Sequence, residues 1–169
     1  MAVGGTQVDI LQKLQKYKDY SLGKSEEKIQ IKYVATSFNK LDFKGFDFNN
    51  TEFLEVIFNQ CDFSNVYLSG SNLSGSELNQ CIFEYNVFRK GKAEYALFNR
   101  TNIKEFDAFR TSFYGAKFND LVIKNSSITK CLMIRSDFND VIIQNVDLTN
   151  TSFRYSKFKN VLNQFKKFS

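Results

Sequence analysis

Apolar residues recur at every fifth position from Phe38 to Phe158, twenty-five times without a slip of frame. The run opens Phe38, Phe43, Phe48, Phe53, Phe58, Phe63, passes through Leu68, Leu73 and Leu78, and closes on Leu148, Phe153 and Phe158. In a chain that is 43% apolar this would arise by chance roughly once in a billion, so the sequence is a repeat array before it is anything else. Two residues ahead of each of these centres runs a second ladder. Twenty of its twenty-five members are Ala, Ser, Thr, Cys, Val or Gly, among them Val56, Cys61, Ser71 and Ala96. The remaining three places in each unit are mostly Asn, Asp, Ser, Lys and Glu. A period of five fits neither the 3.6 of a helix nor the 2.0 of a strand. It is the rhythm of a chain that turns a corner once per unit and points one large and one small residue inward each time.

Several units share a tighter pattern: Cys61-Asp62-Phe63-Ser64-Asn65, Ser71-Asn72-Leu73-Ser74-Gly75, Ser136-Asp137-Phe138-Asn139-Asp140 and Val146-Asp147-Leu148-Thr149-Asn150. This resembles the pentapeptide-repeat family, whose motif runs A-(D/N)-L-x-x with Phe often in place of Leu. The resemblance covers about three quarters of the chain. It implies an all-β solenoid, a right-handed quadrilateral β-helix with one unit per side and four per coil. Twenty-five units then make about six coils, a rod roughly 30 Å long at a strand spacing of about 4.8 Å. With twenty residues per coil, Phe38, Phe58, Leu78, Phe98, Phe118, Phe138 and Phe158 fall into one column, where stacked rings bury area and fix register.

The flanks lack the five-residue period and predict caps, so the chain divides into 1–35, 36–160 and 161–169. In the first, Met1–Gly5 reads as a flexible lead. Thr6-Gln7-Val8-Asp9 reads as a capping box, and Ile10, Leu11, Leu14 and Tyr17 share one helical stripe that Gly23 ends. Ile29, Ile31 and Tyr33 alternate as a lead-in strand. In the last, Val161, Leu162, Phe165 and Phe168 suit a short helical cap over the final open edge. Within the body, three units break the ladder chemistry. Asn86 stands among the small residues, Gly91 and Ala93 share one unit, and Phe106 with Ala108 reverses the usual small-then-large order, as a volume-conserving swap would.

Charge changes this picture only along the rod. The net charge is +5, but 36–84 carries two basic and seven acidic residues while 85–169 carries fifteen basic and seven acidic. Such a dipole can steer an encounter. There is no histidine, so the commonest general base and transition-metal ligand are both missing. Cys61, Cys81 and Cys131 all lie in the small inward ladder and read as apolar fillers. No phosphate-binding glycine loop, signal peptide or membrane span is apparent. The expectation is a cytoplasmic, non-enzymatic protein with no cofactor, metal or small-molecule substrate.

The function this leaves is a rigid protein-interaction module, with a protein partner or a second copy in a homodimer. The alternative implied by the resemblance is a DNA mimic that protects DNA gyrase, which needs sustained negative charge that the basic second half does not supply. Direct nucleic-acid binding would use Lys90, Lys92, Arg100, Arg110, Lys117, Lys130 and Arg135, but acidic residues are interspersed. A candidate interaction patch follows from the frame. On the side centred on Phe53, Leu73, Ala93, Phe113, Met133 and Phe153, the places pointing outward include Tyr95, Tyr114, Leu132, Ile134, Arg135, Arg154 and Tyr155, with Phe109 one unit before Tyr114. A contiguous aromatic and basic cluster of this kind marks interfaces.

Overall fold

The structure is a computed structural model and describes residues 7–24, 26 and 30–167. Met1–Gly5, Thr6, Ile29, Phe168 and the side chains of Asp9, Ile10 and Leu11, which the sequence places in the lead and the caps, lie outside the described residues. The helix forms over Gln7–Ser21. Leu14 and Tyr17, one turn apart, are buried, and the Tyr17 ring lies 6.1 Å from that of Phe48. Lys18 reaches over the Phe46 ring and Lys13 over that of Tyr33, at 4.8 and 5.4 Å, so the helix lies across the first coil. Its end is a left-handed turn. Gly23 has φ +69°, its N–H donates to the Tyr20 carbonyl, and the Lys24 N–H donates back to the Asp19 carbonyl.

From Lys32 onward the described chain is a parallel β-solenoid of the right-handed quadrilateral kind. Every strand pair is parallel, and the register offset is twenty residues: Phe38 pairs Phe58, Leu78 pairs Phe98, Phe98 pairs Phe118, and Phe118 pairs Phe138. Four units therefore close one coil, and each face is named by its first core residue: Phe38, Phe43, Phe48 and Phe53. The centres from Phe38 to Leu148 are all buried. On the Phe38 face the rings of Phe98, Phe118, Phe138 and Phe158 stack at 5.1, 4.8 and 4.9 Å, within 7° of parallel.

Each corner is made by one residue. Every fifth position from Ala35 to Asn160 has φ between +48° and +71°, and only Gly45, Gly70, Gly75 and Gly115 among them are glycine. Asn and Asp are frequent at the rest, as a left-handed conformation favours. The small ladder lies beside these corners, and it does more than avoid collisions. Most of its hydroxyls and thiols donate to the carbonyl of a centre one coil back, while Thr51 and Ser71 donate to the centre of the preceding unit. Ser76 bonds Phe53 O at 2.8 Å, Thr101 bonds Leu78 O at 2.8 Å, and Cys61, Cys81 and Cys131 bond the carbonyls of Phe38, Phe58 and Ala108. Asn86 reaches the Phe63 carbonyl in the same way with its amide N–H, while its Oδ1 meets no donor among the described residues. Apart from that atom, the polar ladder is satisfied inside an apolar rod.

The other irregular units repack locally. A Cβ on Gly91 would fall 1.9 Å from the Phe88 ring, so the Phe88 ring lies over Gly91 and needs a residue without a side chain there. Phe106 is buried at a corner beside buried Ala108, with ring contacts to Phe83 and Phe88, as the swap reading requires. The interior void that Phe106 borders is only about 10 Å³.

Two expectations are corrected. The stack runs to about seven turns, because Lys32–Val34 already pairs with Glu52–Leu54 and because the far end adds a strand. That strand is Leu162–Lys167, which forms in place of the short helical cap expected over 161–169. It pairs with Asp137–Asp147 and slips register past Gln144, so that Phe165 comes opposite Val146. The physical reason is local: a helix this short is marginal, whereas the strand meets a row of waiting backbone groups. At this end Phe158 is 52% and Leu162 68% exposed.

Candidate interaction surface

The Phe53 face and the corner on either side of it hold most of the residues the sequence singled out. Strands and bridges put each set of four residues one rung apart: Glu52–Glu55, Asn72–Gly75, Lys92–Tyr95, Ser112–Gly115, Leu132–Arg135 and Ser152–Tyr155. The second place of each set is the core centre, and the fourth is the corner. The outward ladders are therefore Glu52, Asn72, Lys92, Ser112, Leu132, Ser152 on one side of the core column and Leu54, Ser74, Glu94, Tyr114, Ile134, Arg154 on the other.

Tyr95 is 65% exposed and Tyr155 69%, both at corner positions with φ +58° and +61°. The Tyr95 ring meets that of Tyr114 edge-on at 5.6 Å and lies over Gly115, where any Cβ would fall 2.7 Å from the ring. Arg135 places its guanidinium 5.9 Å from the Tyr114 ring, and Arg154 stands 5.1 Å from that of Tyr155 while donating to its hydroxyl at 2.9 Å. Leu132 is 48% exposed, and Tyr114 and Ile134 are half-buried between these residues. Seven of the eight singled-out residues thus form one surface, in which cation–π contacts hold the arginines against the rings.

Phe109 is the exception. It belongs to the Phe48 face, across the corner made by Arg110. Arg110 and Lys130 cover its ring at 5.1 and 5.5 Å, and it borders an open groove of about 480 Å³ with Arg89, Asp107 and Thr129. The corner between the two faces stacks Lys90, Arg110 and Lys130 on successive rungs, a basic edge to the aromatic surface. None of Lys90, Lys92, Arg110, Lys130, Arg135 or Arg154 joins an ion pair among the described residues. By contrast Lys32, Lys44, Arg89 and Arg100 each meet a carboxylate.

Two regular features were missed in the sequence although their signals are there. Asn39, Asn59, Asn79 and Asn99 form an outward ladder on the Phe38 face, each amide donating to the one before at 2.9, 3.1 and 3.2 Å. A search at a period of twenty finds it. The stacked basic corner of Lys90, Arg110 and Lys130 is visible at the same period. All three thiols are buried, and the hydrogen bond with the Cys81 sulfur lowers the pKa of Cys61. Burial pushes the Cys131 thiol up to about 11, and Cys81 is pushed up by its contact with the Cys61 sulfur and by burial. Among the described residues no group of three His, Cys, Asp or Glu could hold a metal ion, and no helix is long and apolar enough to cross a membrane.

The family model described as pentapeptide repeats matches the chain in eight copies, over residues 47–84 and 61–100. No curated protein matches. Among solved structures, a trypsin-treated variant of QnrB1, a plasmid-mediated fluoroquinolone resistance protein, aligns at 15% identity over 76% of this chain and 82% of its own, with a TM-score of 0.40. Rfr23, a pentapeptide repeat protein from the cyanobacterium Cyanothece 51142, aligns at 14% over 94% and 100%, with a TM-score of 0.40. HetL, a pentapeptide repeat protein involved in heterocyst differentiation regulation in Nostoc sp. strain PCC 7120, aligns at 12% over 94% and 95%, with a TM-score of 0.31. The matched repeats continue in the same frame through the coils on either side, so the chain is built of pentapeptide repeats.

Proposed function

We propose that this protein is a non-enzymatic docking module, a rigid rod that captures a protein partner through the Phe53 face. One observation carries the reading: Tyr95, Tyr114, Leu132, Ile134 and Tyr155 are gathered along one face and its corner, edged by cations that join no ion pair among the described residues. Tyr and Arg are the side chains that concentrate binding energy, and an exposed cluster of them with apolar neighbours has the composition of an interface core. Rigidity adds to this, because a surface built on stacked strands loses little conformational freedom when it binds.

The gyrase-protecting alternative finds less support in the charge layout. Acidic residues of the first half are spread over all four faces, and the stacked pair Asp42 and Asp62 is partly neutralised, with Lys44 bound to Asp62 at 2.8 Å. A duplex mimic needs a continuous acidic stripe.

The test is capture from native cell extract by the immobilised full chain and by Tyr114→Ser/Ile134→Ser. Both side chains are half-buried at the surface, so the melting temperature should shift by only a few degrees while capture of at least one protein is lost. Identical capture by the two proteins, or collapse of the variant's fold, contradicts the proposal.

A further inference from the structure

We infer that the occupant of the Phe53 face is a second copy of this chain, docked with the two rods antiparallel; this rests on the docking role proposed above. The face is self-complementary in size. Consider a two-fold axis lying across it, along the strand direction and midway between the rungs of Ala93 and Phe113. Rung Glu52–Glu55 then meets rung Ser152–Tyr155 of the second copy, rung Asn72–Gly75 meets Leu132–Arg135, and rung Lys92–Tyr95 meets Ser112–Gly115. Residues at equal places along the strand come opposite each other. Large meets small in three of these pairs: Ile134 with Ser74, Arg135 with Gly75, and Lys92 with Ser112. A twofold contact of this kind is isologous, so each match is made twice.

Charge selects the antiparallel arrangement. The acidic end of the face carries Glu55, which is exposed and joins no ion pair among the described residues. Under the axis it comes opposite the rung of Arg154 and Tyr155, with Arg135 one rung away, about 4.8 Å along the rod. Parallel rods would instead set Arg135 and Arg154 on the same rungs as their own copies, which like-charge repulsion disfavours. The wider asymmetry of the chain, −5 over 36–84 against +8 over 85–169, favours the same orientation at longer range. Six rungs of one face form a small contact surface, so the dimer is weak, salt-sensitive and in exchange with monomer.

Sedimentation equilibrium of the full chain across a concentration series tests this. The wild type should approach twice the monomer mass and fall back toward it in high salt. Glu55→Arg should weaken association at least about tenfold, as should Arg135→Glu/Arg154→Glu. The triple variant Glu55→Arg/Arg135→Glu/Arg154→Glu should recover most of the loss, because both sides of every charge pair are exchanged. All these residues are exposed, and a melting curve for each variant separates lost contact from lost fold. A wild type that stays monomeric overturns the inference, as does a dimer indifferent to the reversals or a triple variant that does not recover. If the chain is monomeric while Tyr114→Ser/Ile134→Ser still loses capture from extract, the second copy is ruled out and the docking role stands. If capture is also unchanged, both fall.

Discussion

Replacing Phe98 by alanine is expected to cost about 3–5 kcal/mol, among the largest effects of any single substitution in this chain. The ring is 3% exposed and sits in mid-column, stacked on Phe118 at 5.1 Å and nearly parallel to it. It also meets Phe83 and Phe113 from other sides of the coil. The strands above and below are held by backbone pairing at a fixed twenty-residue register, so they cannot close on the space left behind. Asn99, the next residue, points outward and donates to Asn79 at 3.2 Å. Asn99→Ala removes one half-buried ladder bond and should cost less than about 1 kcal/mol. Denaturant unfolding of the two variants measures both. Similar losses at the two sites would mean that the inward and outward assignments are wrong.

Phe106→Ala should be comparably costly, at about 3–5 kcal/mol, and its partner site gives it a rescue. Phe106 occupies a corner place where nearly every other unit has a small residue, while Ala108 occupies the place of a large one. The ring fills the room that Ala108 leaves, and the residual void is only about 10 Å³. Restoring the usual order with Phe106→Ala/Ala108→Phe should therefore recover at least half of the loss. The two sites are two residues apart and share one space, so their effects cannot be additive. Additive losses would show that the corner at Phe106 has a backbone committed to the large residue and that the two side chains do not exchange volume.

The coil was legible because its signal is redundant. One inward position repeated from Phe38 to Leu148 outweighs any local exception, and Asn86, Gly91 and Phe106 all turn out to be repacked within the same frame. The outward surface was legible for the same reason, since the frame that buries Phe113 and Met133 must expose Leu132 and Tyr155. What the frame could not show is chemistry that depends on the neighbouring coil. Ser76, Thr101 and Cys81 read as small fillers, yet each donates to a carbonyl twenty-three residues back. Phe109 read as part of the patch because one unit separates it from Tyr114. A corner lies within that unit, and the chain turns there. The last segment misled for a different reason. Val161, Leu162 and Phe165 fit a helical stripe, but the open edge of Asp137–Asp147 offers hydrogen bonds that a lone turn of helix does not match.

The docking role of the Phe53 face is tested most directly by hydroxyl-radical footprinting of the full chain, in native cell extract and in dilute buffer. The tyrosines provide their own controls. Tyr95 and Tyr155 belong to this face, whereas Tyr67 and Tyr85, exposed at 53% and 55%, stand on the Phe48 side and at a corner away from it. If the Phe53 face docks a partner, Tyr95, Tyr114 and Tyr155 lose reactivity together in extract while Tyr67 and Tyr85 keep theirs. Unchanged reactivity at Tyr95 and Tyr155, or protection confined to Tyr67 and Tyr85, would contradict it.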